Sequence, residues 1–178
     1  MLRALKPVCR KKPERLPERK AVTIIAGFRT YEGIVICGDT QETVSGLSKK
    51  HVTKVKVQPW STDINGTTFK VAGAGELAAC FCGAGEGPFT DMLVSKLWDR
   101  IKACLTLDEA VERAKAVIRG TYRQYGQIYQ QGYCPSVDLI YGLKLADESR
   151  MFSANGPAIN EVRDYHAAGA GYYMADFP

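Results

Sequence analysis

The hydrophobic period of this chain changes twice, and that order limits its architecture more than any other feature. Short β-branched and apolar runs fill residues 22–74, helical spacing takes over between Leu93 and Ile118, and strand-like runs return at Val137. Strands, then helices, then strands predict α+β layering rather than alternating βαβ units. Within the first block, residues 22–28 (VTIIAGF) read as a strand and Thr30-Tyr31-Glu32-Gly33 as a turn. Residues 33–39 (GIVICGD) then fold back as the second arm of a hairpin. A polar loop is expected over residues 40–50, an alternating strand over 52–57, a turn at Asn65-Gly66 and a further strand over 69–74.

The second block places Leu93, Leu97, Ile101 and Cys104 on one helical face. Thr106-Leu107-Asp108-Glu109 has the form of a capping box, and Leu107, Ala110, Val111, Ala114 and Ile118 carry a second apolar stripe. The third block predicts strands over residues 137–145, 151–153, 158–162 and 165–168, with turns at Asp147-Glu148-Ser149 and Asn155-Gly156-Pro157.

The 178 residues suit one domain with a core of its own. No apolar run approaches the roughly 18 residues that a membrane span needs. Eight of the 24 Lys and Arg residues fall within residues 1–22, beside only two acidic residues, so the net charge of +5 divides into +6 for that segment and −1 for the rest. A near-neutral body argues against nucleic acid as a partner. Pro7, Pro13 and Pro17 interrupt any helix in the basic segment, and no apolar stretch there resembles a signal peptide. Residues 1–22 are therefore expected to form a disordered or removed leader, and residues 23–178 the folded domain. The six cysteines, Cys9, Cys37, Cys80, Cys82, Cys104 and Cys134, contain no C-x-x-C, which fits reduced thiols in a cytoplasmic protein.

Only two histidines, His51 and His166, are available, and neither a G-x-S-x-G elbow nor an H-E-x-x-H helix exists. Gly73-Ala74-Gly75 lacks the third glycine and the acidic residue of a dinucleotide site. No cofactor is expected. A hydrolase without histidine can use a threonine hydroxyl activated by the chain's own α-amine, which titrates near 7.7–8.0 when free. That chemistry needs a threonine at the start of a strand, a cation beside it and a carboxylate to hold the cation. Thr23 opens the first strand, Asp39 ends its hairpin partner, and Lys54 lies in the third strand. Each has an ordinary alternative, as a strand threonine, a turn-starting aspartate and a solvent-facing lysine.

Together these residues resemble the proteasome β-subunit family and its bacterial proteasome-like relatives. The likeness is densest in TIIAGFRTYEGIVICGDTQETVSG followed by KKHVTKVKV, and extends from Thr23 to about Gly171. In that family an Asp follows the amino-terminal Thr by sixteen residues, the spacing of Thr23 and Asp39. The resemblance implies a four-layer αββα sandwich of the N-terminal-nucleophile hydrolase type. It implies Thr23 as nucleophile and base, Lys54 as the cation that lowers the hydroxyl and amine pKa values, and Asp39 as the residue that orients Lys54. It further implies Gly73 as the oxyanion-hole donor, Thr43 and Gly73 as strand partners for an extended substrate, and Ala72, Gly75 and Lys54 as the walls of a specificity pocket. Peptides or unfolded proteins would be the substrates, a ring-forming homo-oligomer the assembly, and an ATPase a further partner.

Four features depart from the family pattern. Thr23 is internal, Val22 stands where self-cleaving precursors place Gly, and Gly169-Ala170-Gly171 replaces G-S-G. The family's later helices and strands also have no counterpart before Pro178, so the sandwich is expected to be incomplete at that end. Translation from Val22 as a GTG start, followed by removal of the initiator Met, would expose Thr23 directly. Two other readings stay open: a non-catalytic subunit of the same fold with Thr23 blocked, and an amidase acting on a small amide.

Overall fold

A computed structural model describes residues 23–44, 48–59, 61–62, 68–69, 75–128 and 135–170. The hairpin expected at the start is present, as β1 (Ile25–Arg29) and β2 (Ile34–Gly38), antiparallel with Ile25 opposite Gly38. The expected polar loop after it instead holds two short paired strands, β3 (Gln41–Val44) and β4 (Ser48–His51). Next come β5 (Val55–Gln58) and a small pair, β6 (Ser61–Thr62) with β7 (Thr68–Phe69). The Asn65-Gly66 turn lies outside the described residues, as do 70–74, most of the strand expected over 69–74.

The main addition to the expected pattern is β8 (Ala78–Gly85), an eight-residue strand at the centre of the molecule. Its sequence, AACFCGAG, has little intrinsic strand preference, and burial within the sheet decides its conformation. Helix α1 (Gly87–Ile101) starts six residues before Leu93, with a proline in its first turn, where the missing N–H costs no helical bond. Helix α2 (Leu107–Ile128) begins at the predicted cap: Glu109 N donates to Thr106 Oγ1 at 3.2 Å. β9 (Val137–Leu145), β11 (Ala158–Val162) and β12 (Tyr165–Ala168) match the expected strands, and β10 (Glu148–Asn155) extends its prediction at both ends.

The strands form a five-stranded antiparallel sheet in the order β11-β10-β9-β8-β5 and a three-stranded sheet in the order β12-β1-β2. Helices α1 and α2 pack against β8 and β9 on one face of the larger sheet, and the smaller sheet covers the other. Alternation along the central strands sorts the side chains. Phe81, Leu139, Tyr141, Leu143 and Phe152 meet the helices, whereas Cys82, Ala84, Ile140 and Met151 face Ile25 of the smaller sheet. A strand buried on both faces reads as a continuous apolar run, which is why residues 139–143 (LIYGL) show no polar alternation. The described elements make three layers, helix on sheet on sheet; the second helical layer of the expected αββα sandwich is not among them. Among the described residues no helix is long and apolar enough to cross a membrane.

Two buried polar groups in this core have measurable consequences. Tyr141 stacks on Phe152 with ring centroids 5.1 Å apart, and its hydroxyl has no hydrogen-bond partner among the described residues. A buried unsatisfied hydroxyl costs about 1–3 kcal/mol. Tyr141→Phe is therefore expected to leave the urea unfolding midpoint unchanged or raise it, and a fall of more than about 1 kcal/mol would show that the hydroxyl is satisfied. Burial, aided by neighbouring Cys37 and opposed by Lys54, pushes the Cys82 thiol from the ordinary 9.0 up to about 12. The thiolate is the reactive form, so Cys82 stays inert near neutral pH. Iodoacetamide at pH 8 should label exposed Cys37 in the native protein and reach Cys82 only after unfolding, as read by peptide mapping. Because the folded value is the higher one, the contribution of Cys82 to stability is whole below about pH 9 and is lost as the pH rises towards 12.

Candidate active site

Two sheets converge on one hydroxyl. Thr23 leads into β1, and the β1–β2 register carries Asp39 back beside Ile24. Asp39 N donates to the Ile24 carbonyl at 3.0 Å, and Ile24 N donates to Asp39 Oδ1 at 3.2 Å. Lys54 comes from the other sheet, one residue ahead of β5. Its Nζ donates to Asp39 Oδ1 at 2.8 Å and to Thr23 Oγ1 at 3.1 Å. The Lys54 side chain is 10% exposed and that of Asp39 31%. An ammonium so nearly buried is tolerated because a carboxylate and a hydroxyl take its donors. Lys54 thus bridges the other two residues singled out in the sequence, donating to both.

A second contact fixes the backbone of Thr23. Gly169 follows β12 with φ at +91°, and a Cβ placed on it would lie 2.3 Å from the Thr23 carbonyl oxygen. Only glycine combines that conformation with that approach. Gly169 N donates to Asp138 Oδ2 at 3.2 Å, while Asn155 Nδ2 donates to Asp138 Oδ1 at 2.5 Å. Asp138 and Asn155 stand opposite each other on β9 and β10, so the larger sheet anchors the turn that abuts the nucleophile candidate.

Beside Thr23 and Lys54 lies a cavity of about 180 Å³. Val52 and Lys56 flank it on the β5 side, Gly83, Ala84 and Gly85 end β8 along it, and Thr90, Asp91 and Val94 face it from the first turns of α1. Gly85 has φ at +122°, and a Cβ there would lie 2.2 Å from the Ser136 carbonyl oxygen. Among the described residues no cluster of three or more His, Cys, Asp or Glu side chains is placed to hold a metal ion.

Ala72 and Gly73 lie outside the described residues. Thr43 is on β3, opposite Lys49. Gly75 is exposed, with open space around its Cα, and is not among the residues lining the cavity. Gly87 lines it at the start of α1, and the two glycines of β8 that also line it, Gly83 and Gly85, escaped sequence reading. A signal for them existed: the chain contains Gly-Ala-Gly three times, at 73–75, 83–85 and 169–171, and the second and third runs supply the glycines at Thr23.

No protein-family model and no curated protein matches the chain. Solved structures do. The Gly-1 mutant of Anbu from Hyphomicrobium sp. strain MC1 aligns with a TM-score of 0.61 at 20% identity, covering 86% of this chain and 62% of that one. The helical assembly of the Anbu complex from Pseudomonas aeruginosa gives 0.61 at 13% identity, with coverages of 86% and 63%. Eukaryotic HslV from Trypanosoma brucei gives 0.56 at 17% identity, with coverages of 85% and 74%. The chain spans about three fifths of the length of the Anbu chains that it matches. Its two packed sheets, its pair of helices and these alignments lead to one assignment: the chain has the fold of the Anbu and HslV structures.

Proposed function

We propose that this chain is a threonine-type peptidase subunit whose nucleophile is Thr23. The observation that carries the reading is the Lys54 ammonium, donating at 3.1 Å to the Thr23 hydroxyl and at 2.8 Å to Asp39. A positive charge at that distance favours the ionised form of the hydroxyl. Thr23 Oγ attacks a peptide carbonyl, and its proton passes to the Thr23 α-amine, directly or through one water. Collapse of the tetrahedral intermediate breaks the C–N bond, and the amine returns the proton to the leaving nitrogen. The ester left on Thr23 is hydrolysed by water, which restores the hydroxyl.

The amine is available only when the Val22–Thr23 bond has been cut, so residues 1–22 act as a leader and residues 23–178 as the hydrolase domain. Gly73 is outside the described residues; Gly83, Gly85 and Gly87 line the cavity beside Thr23, and a backbone N–H among them is the oxyanion donor of this reading. The cavity is smaller than the roughly 300–1,000 Å³ of pockets that enclose a whole small molecule, which favours one side chain of a peptide over a free amide. Oligomerisation is part of the proposal. β1, β2 and β12 bring Phe28, Val35 and Tyr165 into one cross-strand row, and all three are exposed on the smaller sheet, a surface suited to a partner. A soluble cytoplasmic ring fed by an ATPase completes the proposal.

Two experiments test the reading. In the first, the folded chain is cut between Val22 and Thr23 at an inserted protease site, and fluorogenic peptides are supplied. Cut protein should hydrolyse them, and Thr23→Ala should lower kcat by about 10,000-fold or more. Equal rates in the two proteins would dismiss Thr23 as nucleophile, and no activity in either would favour the non-catalytic reading. In the second, Lys54→Met should reduce kcat by roughly 100-fold or more with a smaller effect on KM, because the ammonium acts on the attacking oxygen rather than on substrate binding.

A further inference from the structure

The cavity beside Thr23 has a composition that its position does not require. Its inner wall is apolar: Val52, Ala84 and Val94 line it, and the Thr90 methyl stands over Gly83, where a Cβ would lie 2.2 Å from Thr90 Cγ2. The Thr90 hydroxyl is turned to the backbone and donates to the Glu86 carbonyl at 2.9 Å. Two charges also line the cavity, Lys56 from β5 and Asp91 from α1, and they are paired with each other at 2.5 Å. The third charge, Lys54, is committed to Asp39 and Thr23.

We infer that this cavity selects a neutral aliphatic side chain, of the leucine or methionine class, at the substrate residue whose carbonyl Thr23 attacks, and that the Lys56–Asp91 pair sets this choice. The inference rests on the proposed peptidase reading for its substrate and extends it to specificity. About 180 Å³ equals the liquid volume of roughly six waters, room for one medium side chain. An entering guanidinium or carboxylate would lose water against the apolar wall and find its counter-charge already neutralised, because Asp91 and Lys56 are paired with each other. Their side chains are 67% and 33% exposed, so lost hydration rather than rupture of the pair disfavours a charged side chain. The pair also joins β5 to the first turns of α1 and cancels the field that either charge alone would project inwards.

The test uses peptides that differ only at the residue before the scissile bond, Leu, Arg or Asp, and the chain cut between Val22 and Thr23. The unaltered protein should favour Leu over both charged residues by about 10-fold or more in kcat/KM. Lys56→Met frees Asp91 and should raise Arg relative to Leu; Asp91→Asn frees Lys56 and should raise Asp relative to Leu. These opposite reversals cannot arise from general loosening of the site. Equal rates for the three peptides, or variants that scale all three alike, would overturn the inference while leaving Thr23 as nucleophile. If no peptide is cleaved, the same three sequences as peptide amides are titrated onto the full chain by calorimetry, where no nucleophile is needed. Tighter binding of the Leu amide, with the same reversals in the two variants, upholds the pocket assignment although the peptidase reading has failed. Equal or absent binding of all three overturns it.

Discussion

The Lys54 ammonium is the point on which the structure turns. It is nearly buried, belongs to the larger sheet, and finds both of its described partners on or beside the smaller one. A charge so placed is destabilising unless its hydrogen bonds are complete, so the two sheets must meet in one relative position. The same geometry delivers the cation to the Thr23 hydroxyl. One interaction therefore ties the layers together and, under the proposed function, prepares the chemistry, and removing Asp39 alone would leave a buried cation with one partner fewer.

The rest of the core serves that alignment. The helices fill one face of the five-stranded sheet, and Ile25, Cys82, Ile140 and Met151 fill the space between the sheets with closely packed apolar volume. The strand ends then come together at Thr23 from several directions: Gly38 and Asp39 after β2, Lys54 before β5, Gly85 at the end of β8, and Gly169 after β12. A site assembled from strand ends is held by sheet hydrogen bonds rather than by loop conformation, which favours reproducible distances.

Much of this was legible in the chain itself. The β1–β2 hairpin followed from β-branched runs around a Tyr31-Glu32-Gly33 turn, and it set Asp39 beside Ile24, the residue after Thr23. Strands β9, β11 and β12 were legible because their apolar runs are bounded by turn residues. β8 was not, because a strand covered on both faces can be built from Ala, Cys and Gly, residues that carry no period. Gly83 and Gly85, which end that strand beside Thr23, were missed with it. The partial exposure of the smaller sheet's outer row, Phe28, Val35 and Tyr165, was likewise invisible, since sequence alternation says which side chains share a face but not which face is covered.

Several contacts around Thr23 are already formed in the chain that still carries Val22. Lys54 and Asp39 are in place, and Gly169 already abuts the Thr23 carbonyl. Under the proposed chemistry, inactivity would then reside in a single covalent bond and not in a displaced loop or a closed lid. A latent state of that kind does not leak, because no thermal fluctuation yields a free amine, whereas a conformational zymogen always samples some of its active form. Activation would be irreversible and would require little rearrangement of the folded domain.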